Sequence, residues 1–224
     1  MPTSPLAALL GAALMAAGSA STAETGRLAP EARAAFLAEV QTRHAIAPDE
    51  AAVLLDQARY QQSIIDAITR PAEAKPWKDY RPIFLTADRI AKGRAFLARH
   101  RDSLRAVEEN TGVAAPILVA ILGVETGYGA NTGRYRVLDA LYTLGFFYPK
   151  RAEFFRGELM QAFALAREEK LDLGAITGSY AGAMGWGQFI PSSYRAYAVD
   201  GDGDGIRDLW NSLPDVLASV ANYF

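Results

Sequence analysis

The ten residues Pro116-Ile-Leu-Val-Ala-Ile-Leu-Gly-Val-Glu125 are apolar on almost every side once wound as a helix, and such a helix needs other apolar faces around it. The remaining sequence offers those faces as helices. Pro30-Glu31 opens an amphipathic run to His44 with Phe36, Leu37 and Val40 on one face, and Pro48-Asp49-Glu50 opens a second carrying Val53, Leu54 and Leu55. Thr86 caps a long run with Ile90, Phe96, Leu97, Leu104 and Val107 that stops near Gly112. Helical patterns return over 137–147, 150–171, 191–198 and 212–224. The stretch 70–84 holds Pro71, Pro76 and Pro82 and is expected to be extended or turned, marking a boundary. No strand alternation and no internal repeat is found. The expected fold class is all-α, with a small helical part over 24–75 and a main body over 76–224.

Composition narrows the function. Of 224 residues, half are apolar and 21% charged, which excludes a disordered chain, a collagen-like repeat and a multi-span membrane protein. The 23 basic residues face 25 acidic ones, so no nucleic-acid partner held by bulk charge is expected. Cysteine is absent, which removes disulfides, thiolate zinc sites, cysteine nucleophiles and a lipid-anchored lipoprotein. Only His44 and His100 could serve a Ser-His-Asp triad. Carboxylates are left to carry the chemistry. At the N-terminus, the Leu/Ala/Gly/Met run from Leu6 to Ala17 is too short to span a bilayer and leads into Ser21-Thr22-Ala23, so residues 1–23 read as a cleavable signal peptide. The alternative is an Ala-rich terminus with no targeting role.

Three segments carry chemistry. In Gly123-Val-Glu125-Thr-Gly-Tyr-Gly129 a carboxylate ends the apolar helix. Desolvation and the negative helix end both raise its pKa, as suits a general acid, although a surface Glu at a helix end would look the same. In the second segment, 178–193, glycines are interleaved with Tyr180, Trp186 and Gln188, and no Lys follows to make a phosphate loop. Rings that stack on pyranose faces, beside Ser and Gln that hydrogen-bond sugar hydroxyl or acetamido groups, suit a sugar cleft. A close-packing loop is the other reading. The third, Asp200-Gly-Asp-Gly-Asp-Gly-Ile206, places oxygens at positions one, three and five and a carbonyl at seven, following the calcium loop of EF-hands. Position twelve is Asn211 where those loops use Glu, so a closing carboxylate must come from elsewhere, with Asp215 the nearest after Asp208. A solvated acidic turn without metal is the alternative.

Together these segments, with Arg136-Val-Leu-Asp-Ala-Leu141, Tyr148-Pro-Lys-Arg-Ala-Glu-Phe-Phe155 and Ser219-Val-Ala-Asn-Tyr-Phe224, resemble the membrane-bound lytic murein transglycosylase B family from about Trp77 onward, and more loosely back to Leu28. The resemblance implies a lysozyme-like helical core acting on peptidoglycan glycan strands in the periplasm. It implies Glu125 as the single catalytic acid/base, Ser179 and Gln188 as sugar contacts, and Tyr80, Tyr180 and Tyr223 in the same cleft. Lys150 and Arg151 match a basic pair near the acidic portion of the substrate. A structural Ca2+ is implied at Asp200, Asp202, Asp204, the Ile206 carbonyl and Asp215, with one residue more before Asp215 than the family has. No partner carboxylate stands out in the motifs, whereas ordinary retaining glycosidases place a second one about 5 Å away. The resemblance therefore implies attack by the substrate's own acetamido group and 1,6-anhydro-muramic products. A lysozyme-like hydrolase or a non-catalytic wall-binding module are the competing readings. The family continues beyond the position of Phe224, so the sequence is expected to be a fragment.

Overall fold

A computed structural model describes residues 26–70 and 76–224; the expected leader over 1–23 lies outside the described residues. The chain divides into two compact units, one ending at Val53 and the other Leu54–Phe224. In the first, α1 (Pro30–His44) starts at its proline and ends where Ala45 turns left-handed at φ 52°, its N–H on the Gln41 carbonyl. Phe36, Leu37 and Val40 are buried, as their spacing predicts. Most of α2 (Pro48–Leu55) belongs to this unit.

The second unit is built from α3 (Gln62–Ile68), α4 (Trp77–Phe84), α5 (Ala87–Arg99), α6 (Arg101–Thr111), α7 (Ala115–Glu125), α8 (Val137–Phe147), α9 (Ala152–Glu169), α10 (Pro191–Tyr197) and α11 (Leu213–Tyr223). The hydrophobic centre is the pair α8 and α9, which pack together and bury Leu138, Leu141, Leu144, Phe155, Leu159 and Phe163. Asp139 sits in that core at 1% exposure. Its charge is met by Arg136 Nη1 at 3.0 Å, the Arg59 backbone N–H at 2.9 Å and Gln61 Nε2 at 3.0 Å, as a buried carboxylate requires. The same bonds pin the chain before α3 onto α8. The all-α expectation holds.

Four local readings change. Residues 77–84 form a helix despite Pro82, because that proline falls where it forfeits one bond, to the Lys78 carbonyl. Rings at helical spacing support it: Trp77 lies 6.3 Å from Tyr80, and Tyr80 5.0 Å from Phe84. The run from Thr86 to Gly112 is two helices, broken at His100 (φ −109°, ψ 25°). A straight helix of that length would extend ~37 Å, beyond the width of a small domain. Both halves keep one apolar face, so periodicity could not reveal the break. Helix α7 is buried on one face only: Leu118, Val119 and Leu122 are covered, while Val124 is 45% exposed because it lines a pocket. Lastly, Tyr135–Arg136 pairs antiparallel with Thr177–Gly178, a ladder too short to show alternation.

Candidate active site

Glu125 is the last residue of α7, and the chain reverses directly after it. Gly127, Tyr128 and Gly129 all take left-handed conformations, at φ 61°, 65° and 80°. For Tyr128 that backbone is unfavourable, and its side chain shows what holds it there. The ring enters a slot between α5 and α7 that exists because Gly93 and Gly123 carry no Cβ; either methyl group would lie 2.6 Å from the phenol oxygen. The phenol donates to the Arg89 carbonyl at 2.9 Å. Buried Thr126 completes the turn, accepting from the Gly129 N–H at 3.0 Å and donating to the Trp186 carbonyl at 2.9 Å.

The turn leaves Glu125 on a pocket of about 380 Å³ whose walls include Ile83, Arg89, Val124, Tyr128 and Asn131. The carboxylate is open to solvent, yet the protein around it displaces enough water to raise its pKa. A carboxyl group that keeps its proton at higher pH is a proton donor. Asp88 and Lys92 also line the pocket, ion-paired at 2.7 Å. A second carboxylate is therefore present where the motifs show none, held by a lysine. Arg89, Lys92 and Asp88 escape sequence reading because charges at the start of an amphipathic helix look like an ordinary solvent face.

The other expected sugar contacts divide into two groups. The Gly-rich loop is tied to the Glu125 turn: Gln188, itself at φ 51°, donates through Nε2 to the Thr132 carbonyl at 3.2 Å and the Gly185 carbonyl at 3.0 Å. Trp186 lies against Gly129, where a Cβ would overlap its ring. Ser179 Oγ accepts from the N–H groups of Ala181 and Ala183 and shapes the loop's first bend, and half-buried Tyr180 follows it. Tyr80, Tyr223, Lys150 and Arg151 stand outside the Glu125 pocket lining. Tyr80 packs among the rings of α4, and Tyr223 packs at 4.9 Å from Tyr197 and 5.7 Å from Phe189. Lys150 and exposed Arg151 occupy the 3-10 turn before α9, with the Arg151 guanidinium 4.2 Å from the centre of the Phe154 ring.

In the Asp200 loop, carboxylate oxygens of Asp200, Asp202 and Asp204 lie within 4.8 Å of one another. The N–H groups of Gly205, then Gly203 and Asp204, hold the Asp200 carboxyl below its usual range. The donor set is all oxygen and fits a hard divalent cation. Asp215 is buried, and its two oxygens accept the N–H groups of Gly201 and Asp208, drawing the ends of the loop together.

Comparison with known proteins agrees with this architecture. The family model described as Transglycosylase SLT domain matches residues 29–224. Membrane-bound lytic murein transglycosylase B of Escherichia coli is 41% identical over 199 residues, covering 84% of this chain and 55% of that protein. Among solved structures, soluble lytic transglycosylase SltB1 of Pseudomonas aeruginosa is 51% identical with a TM-score of 0.80, covering 85% of this chain and 65% of that one. Lytic transglycosylase Slt35 of E. coli, solved with calcium, is 40% identical with a TM-score of 0.77, covering 85% and 61%. SltB3 of P. aeruginosa, solved with NAG-NAM-pentapeptide, is 34% identical with a TM-score of 0.78, covering 86% and 51%. The chain thus spans little more than half the length of its curated relative. With the helical core, the Glu125 turn and the Gly-rich loop joined as described, the chain belongs to the SLT-domain transglycosylase family.

Proposed function

We propose that this chain is a lytic transglycosylase that cleaves the MurNAc–GlcNAc β-1,4 bond of peptidoglycan, with residues 76–224 as its catalytic core. The observation that carries the reading is Glu125: a carboxyl group with a raised pKa, fixed at the rigid end of α7 on a pocket floor. Glu125 donates its proton to the glycosidic oxygen as the bond to the muramic anomeric carbon breaks. The substrate's acetamido oxygen attacks that carbon and holds it as a bicyclic cation. Glu125, now a carboxylate, removes the proton of the C6 hydroxyl, whose oxygen displaces the acetamido group and closes a 1,6-anhydro ring. The carboxyl group ends as it began, and no water is consumed. A residue that gives and then takes a proton works best with its pKa near the working pH.

Ser179, Tyr180 and Gln188 are proposed to meet the sugar from the Gly-rich loop, with Tyr80 and Tyr223 as ring walls and Lys150 and Arg151 toward the acidic portion of the substrate. Support comes from the bonds that tie Gln188 and Trp186 to the Glu125 turn, and from the SltB3 relative bound to a peptidoglycan fragment. Asp200, Asp202, Asp204 and the Ile206 carbonyl are proposed to hold Ca2+, closed by Asp215. The ion would cross-link the loop and supply no chemistry at Glu125. The calcium complex of Slt35 and the all-oxygen cluster support this assignment. Residues 1–23 are proposed to direct export to the periplasm.

Asp88 keeps a hydrolytic reading alive, because a second carboxylate on the pocket could activate water. Mass analysis of muropeptides released from purified wall separates the two. Transglycosylation gives ends lighter by one water than hydrolytic ones, and Asp88→Asn leaves both rate and product unchanged within about threefold. Predominantly reducing ends, or a loss of more than about a hundredfold in Asp88→Asn, would establish the hydrolase instead.

A further inference from the structure

The pocket at Glu125 holds one polar group that the proposed proton transfers leave idle. The Arg89 Nη1 is shut off from water without a hydrogen-bond partner, alone in this among buried side-chain nitrogens and oxygens of the described residues. Arg89 is part of the wall of that pocket, and a buried donor without an acceptor is costly. The nearest protein carboxylates do not meet it. Asp88, beside it on α5, is paired with Lys92 at 2.7 Å. The pKa of Glu125 is raised by burial, whereas a cation in contact with it would lower it. Arg89 is nevertheless held in place. Its backbone N–H donates to Thr86 Oγ1 at 3.1 Å, its carbonyl accepts from the Tyr128 phenol at 2.9 Å, and its guanidinium carbon lies 5.3 Å from the centre of the Phe84 ring. A donor fixed in this way is preorganised for one acceptor position.

The apolar part of the same pocket narrows the choice of acceptor. Ile83 and Val124 line it while 42% and 45% exposed, and Ala130 lines it with them. Exposed branched side chains beside a buried N–H complement a group that carries both a carbonyl oxygen and a methyl. A guanidinium donates and cannot accept, so it favours an atom that only accepts over a sugar hydroxyl, which does both. On a glycan strand the acetamido group has the carbonyl and the methyl together. In the mechanism above the muramic acetamido oxygen is engaged at the anomeric carbon, which leaves the acetamido group of GlcNAc for Arg89.

We infer that Arg89, with Ile83 and Val124, reads the N-acetyl group of the GlcNAc unit and makes N-acetylation of that sugar a determinant of cleavage. This rests on the peptidoglycan reading above. Selection works in two ways. The carbonyl of an acetylated sugar satisfies Nη1, whereas the free amine of glucosamine, once protonated, sets a second cation against the guanidinium where the acceptor should be. The test compares kcat/KM on purified glycan strands, on the same strands after N-deacetylation of GlcNAc alone, and on those strands re-acetylated with acetic anhydride. Wild type is expected to lose at least about thirtyfold on deacetylated strands and to regain it on re-acetylation. Arg89→Met keeps an unbranched stem over Phe84 and removes the donor and the charge. Its preference should fall to about threefold or less, while Arg89→Lys, with a cation and donors, should keep more than about tenfold. The preference is a ratio within one enzyme, so partial unfolding of a variant does not change it. Equal rates of wild type on acetylated and deacetylated strands overturn the inference and leave the glycan reading intact. A preference undiminished in Arg89→Met also overturns it, and a shifted pH profile in that variant would then make Arg89 a partner of Glu125. Cleavage of no strand by wild type overturns both readings.

Discussion

The Glu125 turn and the Asp200 loop are both glycine-punctuated reversals, and they are held by opposite means. Packing fixes the first: the Tyr128 ring fills the slot left by Gly93 and Gly123, Thr126 is buried, and Trp186 covers Gly129. Charge fixes the second: exposed carboxylates of Asp202 and Asp204 crowd with Asp200, which accepts backbone N–H bonds from its own loop. Crowded carboxylates repel one another, and a cation relieves the repulsion. A turn held by packing presents its carboxyl group in place with no ligand bound, which is what proton transfer at a fixed distance requires. A loop held by charge suits an ion and stability instead. On the proposed reading, chemistry and metal binding are thereby separated in one domain.

The strongest way to break this comparison is to add the same methyl group to each turn. Gly129→Ala meets a left-handed φ of 80° and the Trp186 ring together, so it is expected to destabilise by about 3 kcal/mol. Gly203→Ala, at φ 78° with nothing within 4 Å of the new carbon, should cost only about 1 kcal/mol of backbone strain. Urea unfolding of both variants measures the difference, and equal losses would remove packing as the distinction. A somewhat smaller effect concerns calcium. At a hundred times its dissociation constant, the ion should raise the melting temperature by about 5–10 °C. In Asp202→Ala/Asp204→Ala the rise should disappear. An undiminished rise in that variant would place the ion elsewhere.

The smallest effect is pH-linked. Because the pKa of Glu125 is raised on folding, the folded state binds more protons than the unfolded one between the ordinary Glu value and the raised one. Stability is therefore lost as pH rises through that window, and Glu125→Gln should flatten this part of the melting profile. The carboxylate is open to solvent, so the slope will be shallow. A wild-type profile parallel to that of the variant would contradict the raised pKa.

Much of this was legible in the sequence where one residue type did something costly. A carboxylate ending an apolar helix and followed by glycines exposes Glu125, and alternate aspartates with intervening glycines expose the carboxylate cluster of the Asp200 loop. The α8–α9 core was readable from periodicity alone. Features that depend on two distant segments were not. The slot for Tyr128 needs Gly93 and Gly123 from different helices, and neither glycine stands out alone. Asp88, Arg89 and Lys92 look like a solvated face until α5 is laid beside the end of α7. His100 breaks a helix whose apolar stripe runs on unchanged, and α4 forms because helical ring spacing outweighs a proline near its end.

The central claim, that one carboxyl group carries the proton in both directions, is tested most directly by Glu125→Gln. Circular dichroism and turnover on purified peptidoglycan are measured on the same samples. The amide keeps the shape and loses the proton, so the spectrum should match wild type while cleavage falls by at least about a thousandfold. A folded variant that cleaves within tenfold of the wild-type rate would show that the proton comes from another group.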